Sequence, residues 1–209
     1  LDFQTSLYKV NPMPLPLLLA SSSQYRKQLL EKLQLPFTTA SPDINESILN
    51  NETPQSYVER LAIEKAKALA GQFSNHIIIG SDQCAVLEVD EQKTILGKPH
   101  NIDNAVEQLK NCSGQHVTFL TGLCVYNSRS KKCLSLVEPF IVHFRELTEA
   151  QIRRYIEQDK PLDCAGSFKS EGLGIRLFSA LNGRDPNTLV GLPLIALTDL
   201  LIEHGIEVL

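Results

Sequence analysis

The chain has 209 residues, of which 43% are hydrophobic and 21% are charged, and its formal net charge is −4. This composition is that of a globular protein with enough apolar residues for a sizeable core. The acidic balance excludes a general affinity for nucleic-acid polymers, and no apolar run approaches the roughly 20 residues that span a bilayer. We therefore expect a cytoplasmic protein that binds small molecules, with neither nucleic acid nor membrane as a partner.

The five cysteines are odd in number, widely spaced and never arranged as Cys-x-x-Cys. This pattern argues against a disulfide framework and against a zinc site. We expect them to be small core residues in a reducing compartment. They are Cys84, Cys112, Cys124, Cys133 and Cys164.

The first predicted elements are a strand and a helix joined by a serine turn. Because Met13 is the sole methionine, residues 1–13 are expected to be an N-terminal tail, native or artificial, before a single domain over residues 14–209. Residues 15–20 form a short apolar run typical of a buried strand, and residues 24–35 carry leucines at helical spacing.

A loop and a well-signalled helix come next. Residues 36–55 look like a loop because they contain three prolines and an acidic cluster. Thr53 followed by Pro54 is typical of a helix N-cap and first helical position, and Gly71 marks the end. These signals predict a helix over residues 54–70.

The rest of the chain alternates strands with helices. The predicted elements are a buried strand over residues 76–87 interrupted at residues 80–82, a helix over 101–111, a hairpin of strands 115–126 and 133–144, a helix from 148 to before Pro161, and a helix over 193–204. This pattern predicts an α/β fold with a mixed sheet flanked by helices.

Asp82 is the first candidate functional residue, because it lies inside the apolar stretch IIIGSDQCAVL. Burying an unpaired carboxylate is costly, so Asp82 needs a partner or a chemical task. The structural alternative is an aspartate at a strand end that caps a turn with Gly80 and Ser81.

Lys65 is the second candidate, because it shares a helical stripe with apolar residues such as Leu61 and Leu69. This phase predicts that Lys65 points toward the body of the protein. The side chain then either extends along the edge of the core to solvent or directs its charge into a cleft.

A candidate anion site lies at the first predicted helix. Arg26 is in its first turn, beside backbone N–H groups without helical partners and close to the hydroxyls of Ser21 and Ser23. These groups suit a phosphate, although a simple helix cap needs only one serine. Lys98 lies in a rigid Gly-Lys-Pro turn and is a further candidate cation.

Two later loops differ in their signals. Residues 164–174 place Lys169 and Glu171 among three glycines, so the two could present opposite charges to one ligand, although a solvated loop would look similar. Residues 182–193 carry turn chemistry throughout and are interpreted as structural.

Together these residues are suited to hydrolysing a phosphoanhydride with a divalent metal. The segments LLLASSSQYRKQLLEKL, LAIEKA, IIIGSDQ, LGKP and CAGSFKSEG also resemble, in order, the motifs of the Maf family of nucleoside triphosphate pyrophosphatases. The resemblance extends from about residue 15 to the last predicted helix. It implies an elongated mixed sheet with two lobes and a central cleft, similar to the inosine triphosphate pyrophosphatases, and a homodimer.

The family resemblance also implies site residues and a cofactor. Asp82 would accept a proton from the attacking water, and Glu46 with Asp82 would hold Mg²⁺ or Mn²⁺, although a neighbouring family carboxylate is replaced here by Asn45. Ser23 and Lys169 are additional candidates. The residues implied to hold the triphosphate are Ser21, Arg26, Lys65 and Lys98.

Substrate choice is implied at Tyr25, Gln83 and Glu171, where the branch acting on dTTP and UTP has arginine, threonine and glutamine. This chain resembles the other branch, whose implied substrate is 7-methyl-GTP, although Tyr25 stands where tryptophan is familiar. An aromatic ring can stack on a cationic methylated purine, and a carboxylate can pair with the N–H edge of guanine. The alternatives are a dTTP and UTP pyrophosphatase, or a nucleotide-binding regulator of septum formation.

Overall fold

The computed structural model describes residues 15–209, so the tail predicted over residues 1–13 lies outside the described residues. The described residues form a mixed sheet of seven strands flanked by helices. The strands are β1 (Leu17–Ala20), β2 (Phe37–Ala40), β3 (Ile77–Val89), β4 (Gln92–Leu96), β5 (His116–Asn127), β6 (Cys133–Phe144) and β7 (Phe178–Asn182). The helices are α1 (Gln24–Glu31), α2 (Pro54–Ala68), α3 (Ile102–Cys112), α4 (Glu149–Asp159), α5 (Asn187–Val190) and α6 (Leu194–Glu203), and 3₁₀ turns cover Ala165–Ser167 and Leu173–Leu177.

The strand order is β2-β1-β3-β5-β6-β7, with β4 paired to the far half of β3. β1 runs parallel to β2 and β3, whereas the other pairs are antiparallel. β5 and β6 form the predicted hairpin. The predicted α/β fold with a mixed sheet flanked by helices is therefore confirmed.

One edge of β3 changes partner along its length. β1 pairs with it as far as Ile79, and β4 pairs with it only from Ala85. Within residues 15–209, no strand therefore pairs with residues 80–84 on this side, while β5 pairs with residues 77–87 of β3 on the other side. We call this opening the β3 gap.

Helix α2 lies directly on the sheet because Gly80 and Gly122 have no side chains there. A Cβ at Gly80 would collide with the carbonyl oxygen of Ala62, and a Cβ at Gly122 would collide with that of Val58. Since α2 can approach the sheet so closely, the helical stripe that contains Lys65 faces the β3 gap.

Separate hydrophobic clusters pack along the two halves of β3. One packs α1 and α6 against β1 and the start of β3, and another packs α3 and α4 against the later half of β3 and its neighbours. Each fully buried leucine contributes about 1.5–3 kcal/mol to folding. The single two-lobed domain over residues 14–209 stays a prediction. No helix in residues 15–209 combines the length and apolar character that a bilayer crossing requires.

Several elements differ from the predictions. β3 is not interrupted at residues 80–82, because these residues continue the ladder with β5. β2 lies within the predicted loop 36–55, and β7 was not predicted at all. Both strands are only four or five residues long and gain their hydrogen bonds from longer neighbours, so they carry little periodic signal of their own. Helix α1 also ends at Glu31, earlier than predicted.

Three of the five cysteines are core residues as predicted, whereas Cys133 and Cys164 are only partly buried. All five are free thiols, and Cys84, Cys112 and Cys124 are buried. Burial, together with the charge of Asp82, raises the pKa of Cys84 to about 12, and burial raises that of Cys112 to about 12. Such thiols stay protonated at neutral pH and pack as small apolar side chains.

Candidate active site

A lysine and two carboxylates from three segments meet beside the β3 gap. The Lys65 Nζ lies 2.6 Å from the Asp82 Oδ1 and 2.8 Å from the Glu46 Oε1. Lys65 and Asp82 are buried, whereas 57% of the Glu46 side chain is exposed. Lys65 thus points inward as its helical phase predicts, and Asp82 has a charged partner rather than capping a turn.

The loop that carries Glu46 is fastened to α2 by two side chains. The Tyr57 hydroxyl donates to the Glu46 carbonyl at 3.0 Å, and Arg60 donates to both carboxylate oxygens of Glu52 at 2.7 and 2.9 Å. Burial, followed by the charges of the nearby carboxylates, raises the pKa of Tyr57, so the hydroxyl remains a donor. The hydrogen bond from Arg60 lowers the pKa of Glu52. The loop is therefore held against α2.

The serine turn both caps α1 and places Arg26. Ser23 is the N-cap, since its Oγ accepts from the Arg26 N–H at 3.3 Å. The buried Ser21 Oγ accepts instead from the Ser23 N–H at 3.1 Å. The Arg26 Nε donates to the Gly191 carbonyl at 2.9 Å, and neither of its Nη atoms hydrogen-bonds another described residue. Arg26 therefore has donors free for an anion.

Charge links Arg26 to the carboxylates beside the β3 gap. Burial lowers the pKa of Arg26, and the negative charges of Asp82 and Glu46 partly offset that effect. Arg26 and the Lys65 cluster therefore belong to one electrostatic environment.

Lys98 stands apart from this cluster. It is exposed in the turn after β4 and forms no ion pair with another residue in the described part of the chain. The preceding Gly97 carbonyl accepts from Gln108 at 3.2 Å and from the Gly166 N–H at 3.4 Å. The structure therefore places Lys98 beside the 3₁₀ turn Ala165–Ser167 rather than against Asp82.

The three residues implied in substrate choice line one cavity of about 160 Å³. This volume is below the roughly 300–1,000 Å³ of a complete ligand pocket, so it suits a part of a ligand such as one base. Lys169 and Glu171 do not pair: the lysine donates to the Asp159 carbonyl, and the glutamate accepts from Ser170. The cavity walls include Tyr25, Gln83, Phe119, Phe168, Lys169 and Glu171.

Backbone carbonyls of residues 182–193, the segment interpreted as structural, hold two polar side chains of β3. The Gln83 Nε2 donates to the Thr188 carbonyl at 2.7 Å and to the Thr121 Oγ1 at 2.9 Å. The Ser81 Oγ donates to the Gly191 carbonyl at 2.9 Å. The segment is therefore structural, as interpreted, but its carbonyls also position side chains of the site, which the side-chain pattern does not reveal.

Sequence reasoning also missed three side chains that support the site. Asp185 is buried, and its carboxylate accepts from the N–H groups of Asn187 and Ile195 at 2.8 Å, which fixes the turn that follows. Its Asp-Pro-Asn context was an available signal for a helix cap. Thr121 was detectable only as a polar residue in an apolar strand, and Tyr57 had no distinguishing signal.

A larger cavity lies away from these groups. It measures about 860 Å³ and is lined by residues 15–17, 35–38 and 205–207, at the amino ends of β1 and β2. Its walls are mostly apolar. We assign the site to the smaller cavity and the β3 gap because the buried polar and charged side chains converge there.

The carboxylate pair has the chemistry of a partial magnesium site. In residues 15–209, no three His, Cys, Asp or Glu side chains cluster closely enough to hold a metal alone. Asp82 and Glu46 nevertheless flank one Lys65 ammonium group and offer hard oxygen ligands. Mg²⁺ is usually held by one or two carboxylates with substrate phosphates and water, so the pair fits a metal that arrives with a triphosphate.

Comparison with known proteins gives concordant matches. The model of the family described as Maf-like protein matches residues 16–204. A 7-methyl-GTP pyrophosphatase of Colwellia psychrerythraea is 60% identical, covering 92% of this chain and 94% of the relative. That of Pseudoalteromonas translucida is 57% identical, covering 94% and 96%, and that of Pseudomonas aeruginosa is 54% identical, covering 92% and 98%.

Among solved structures, the Staphylococcus aureus Ham1 protein matches with a TM-score of 0.47 and 13% identity, covering 91% of this chain and 100% of that chain.

Proposed function

The chain belongs to the Maf-like protein family, and from this premise we propose that it hydrolyses 7-methyl-GTP to 7-methyl-GMP and diphosphate. The observation that carries the proposal is an identity of 54–60% to 7-methyl-GTP pyrophosphatases over more than nine-tenths of both chains. The protein is thus a hydrolase of a nucleotide phosphoanhydride. Removal of methylated nucleotides from the nucleotide pool is the role that this reaction would serve.

Asp82 is assigned as the base that activates water. Its Oδ1 is held by Lys65, whereas Oδ2 accepts no hydrogen bond from another described residue and is free to take a proton. The water oxygen forms a bond to the α-phosphorus as its proton passes to Asp82. The bond from the α-phosphorus to the bridging oxygen breaks, and its electron pair leaves with the diphosphate.

The cations beside the β3 gap offset the charge that develops on the departing diphosphate. Arg26 offers its Nη donors, and Lys65 is fixed by the carboxylates that it contacts. Preorganised donors of this kind stabilise a transition state because they need no reorientation during the reaction. Ser21 completes the inner phosphate contacts. Lys98 is assigned to the outer end of the triphosphate because its turn is exposed.

Glu46 and Asp82 are the residues that would hold Mg²⁺ or Mn²⁺. When bound with the triphosphate, the metal would supply neutralisation of the phosphate oxygens. Tyr57 and Arg60 support this assignment, because they hold the loop that presents Glu46.

The cavity on the other face of β3 is assigned to the base. Tyr25, with 46% of its surface exposed at the rim, can stack on the cationic ring of 7-methylguanine. Glu171 can accept hydrogen bonds from the guanine N–H edge and favour its positive charge. Lys169 is kept as an additional cavity residue.

The test is diphosphate release from 7-methyl-GTP, GTP, UTP and dTTP, measured with Mg²⁺ and with Mn²⁺. We expect the highest kcat/KM for 7-methyl-GTP and release only when a metal is present. A preference for UTP or dTTP would contradict the assignment of 7-methyl-GTP as the substrate. Binding of nucleotides without release from any of them would instead favour the regulator of septum formation.

We also propose that the protein is a cytoplasmic homodimer. The cytoplasm is supported by the five free thiols, which suit a reducing compartment. The homodimer is drawn from the family resemblance. Sedimentation equilibrium at micromolar concentration tests it, and a single monomeric species would contradict it.

A further inference from the structure

A buried threonine on β5 and the Thr188 carbonyl together set the direction in which the Gln83 amide faces. We propose that Thr121 is a positioning residue that, with this carbonyl, directs the Gln83 carbonyl oxygen toward the base cavity, and thereby helps to make the cavity selective for the hydrogen-bond donor edge of a guanine-type purine. This inference rests on the proposed function, which supplies the purine triphosphate.

The hydrogen-bond direction at Thr121 follows from its two neighbours. Thr121 lies opposite Gln83 in the β3–β5 register and is fully buried. Its Oγ1 lies 3.1 Å from the Thr188 carbonyl oxygen, which can only accept, so the single hydroxyl proton is used there. Toward Gln83 the Oγ1 can therefore only accept. The amide atom that faces it must be the NH₂ group.

A second acceptor fixes the same orientation. The Thr188 carbonyl oxygen lies 2.7 Å from the Gln83 Nε2, so both acceptors use amide hydrogens. A reversed amide would set the Gln83 Oε1 against the Thr188 carbonyl oxygen, which has no proton to share. It would also set Oε1 against the Thr121 Oγ1, whose proton is used at that same carbonyl, so two hydrogen bonds would be lost. The network thus assigns the amide orientation, as hydrogen-bond networks generally do.

The Gln83 Oε1 is left as an open acceptor at the cavity. It accepts from no donor within residues 15–209 and is not among their buried polar atoms that lack a partner. Gln83 lines the cavity together with Glu171, whose carboxylate is also an acceptor. The proposal thus gives the cavity two acceptors, the unpaired Gln83 Oε1 and the Glu171 carboxylate.

This arrangement favours a base edge with adjacent donors. Guanine offers N1–H and the N2 amino group side by side, whereas hypoxanthine lacks the amino group. Uracil and thymine offer one N–H between two carbonyl oxygens. At least one of these carbonyl oxygens would face an acceptor of the cavity, with no proton to form a hydrogen bond. Such unpaired polar contacts are a strong source of discrimination between substrates. The cavity accordingly prefers a guanine-type base.

The experiment compares 7-methyl-GTP with 7-methyl-ITP, which differs only by the missing amino group, using the metal-loaded enzyme. For the unaltered enzyme we expect a kcat/KM ratio of about tenfold or more in favour of 7-methyl-GTP. In Thr121→Val, which keeps the shape and removes the hydroxyl, the ratio should fall about fivefold through KM, with kcat changed less than about threefold. Thr121→Ser keeps the hydroxyl and should retain the ratio.

The outcomes separate this inference from the proposed function. Absence of 7-methyl-GTP turnover by the unaltered enzyme would refute the function itself. Turnover with equal kcat/KM for the two nucleotides would overturn the selectivity, even if Thr121→Val fails to fold. An unchanged ratio in a folded Thr121→Val enzyme, or equal losses in the Val and Ser variants, would overturn the role of Thr121.

Discussion

The two faces of β3 differ in how they hold their polar groups. Asp82 faces α2, where the contacts are ion pairs: Lys65 pairs with Asp82 and with Glu46. Gln83 points to the opposite face, where neutral groups hold one another through the Thr121 hydroxyl and the Thr188 carbonyl. One strand thus carries an ionic site and a directional hydrogen-bond site at consecutive positions.

This contrast matches two different tasks. Stabilising a departing diphosphate requires strong fields from fixed charges. Distinguishing one base from another requires donors and acceptors whose direction is fixed, since an unpaired polar contact is what rejects the wrong base. Changes on the ionic face should therefore lower turnover of every substrate, whereas changes on the neutral face should alter the choice among substrates.

The largest effect is expected for Asp82→Asn, on the ionic face. Asparagine keeps the shape but cannot accept the proton from water, so kcat should fall about 10²–10⁴-fold. Diphosphate release from 7-methyl-GTP measures the loss, and circular dichroism checks the fold. The matched control is Asp90→Asn at the exposed turn after β3, which should keep full activity. Near-normal turnover in Asp82→Asn would contradict the assigned base.

The second-largest effect is expected for Lys65→Met, because this change leaves the buried Asp82 carboxylate without its partner. Breaking a buried ion pair on one side costs about 3–5 kcal/mol of stability. We expect a lower melting temperature and about a 10²-fold loss of kcat/KM for 7-methyl-GTP and GTP alike. Lys67→Met, an exposed lysine on the same helix, is the control. A Lys65 variant that retains its activity would show that the ionic face is only structural.

Exchange of the cavity residues should alter preference more than turnover. The triple variant with Tyr25→Arg, Gln83→Thr and Glu171→Gln should lose about 10–100-fold in the kcat/KM ratio of 7-methyl-GTP to UTP. Since Asp82 and Lys65 are unchanged, kcat for the best substrate should stay within about tenfold. Steady-state kinetics with both nucleotides measures this ratio and kcat. An unchanged substrate profile would remove these residues from substrate choice.

The smallest effect is expected for Glu52→Gln, behind the ionic face. The hydrogen bond from Arg60 lowers the pKa of Glu52 in the folded protein, so its stabilisation is present above the ordinary glutamate pKa of about 4.3. That stabilisation is lost as the pH falls through the lowered folded pKa. The Tm difference between the unaltered protein and Glu52→Gln should be largest above about pH 5 and shrink toward pH 3. A Tm difference that stays constant with pH would contradict the contribution of the Arg60–Glu52 pair.

The ionic face could be predicted from the sequence better than the neutral face. Lys65 was detectable from its helical phase, and Asp82 from its position in an apolar strand, because side chains of unusual type mark both. The acceptors of Thr188 and Gly191 were not detectable, since every residue has a carbonyl and only the fold decides where it points. Thr121 required the β3–β5 register, which depends on contacts distant in sequence.

The β3 gap has a mechanical consequence. Asp82 and Gln83 are joined there by one peptide unit, whose planarity keeps their Cα atoms about 3.8 Å apart. The paired ladder with β5 anchors this unit on its far side. The two residues therefore cannot drift relative to each other, and a displacement of either one carries the other with it. The strand therefore keeps a constant spacing between Asp82, which would accept the proton, and Gln83, which would recognise the base.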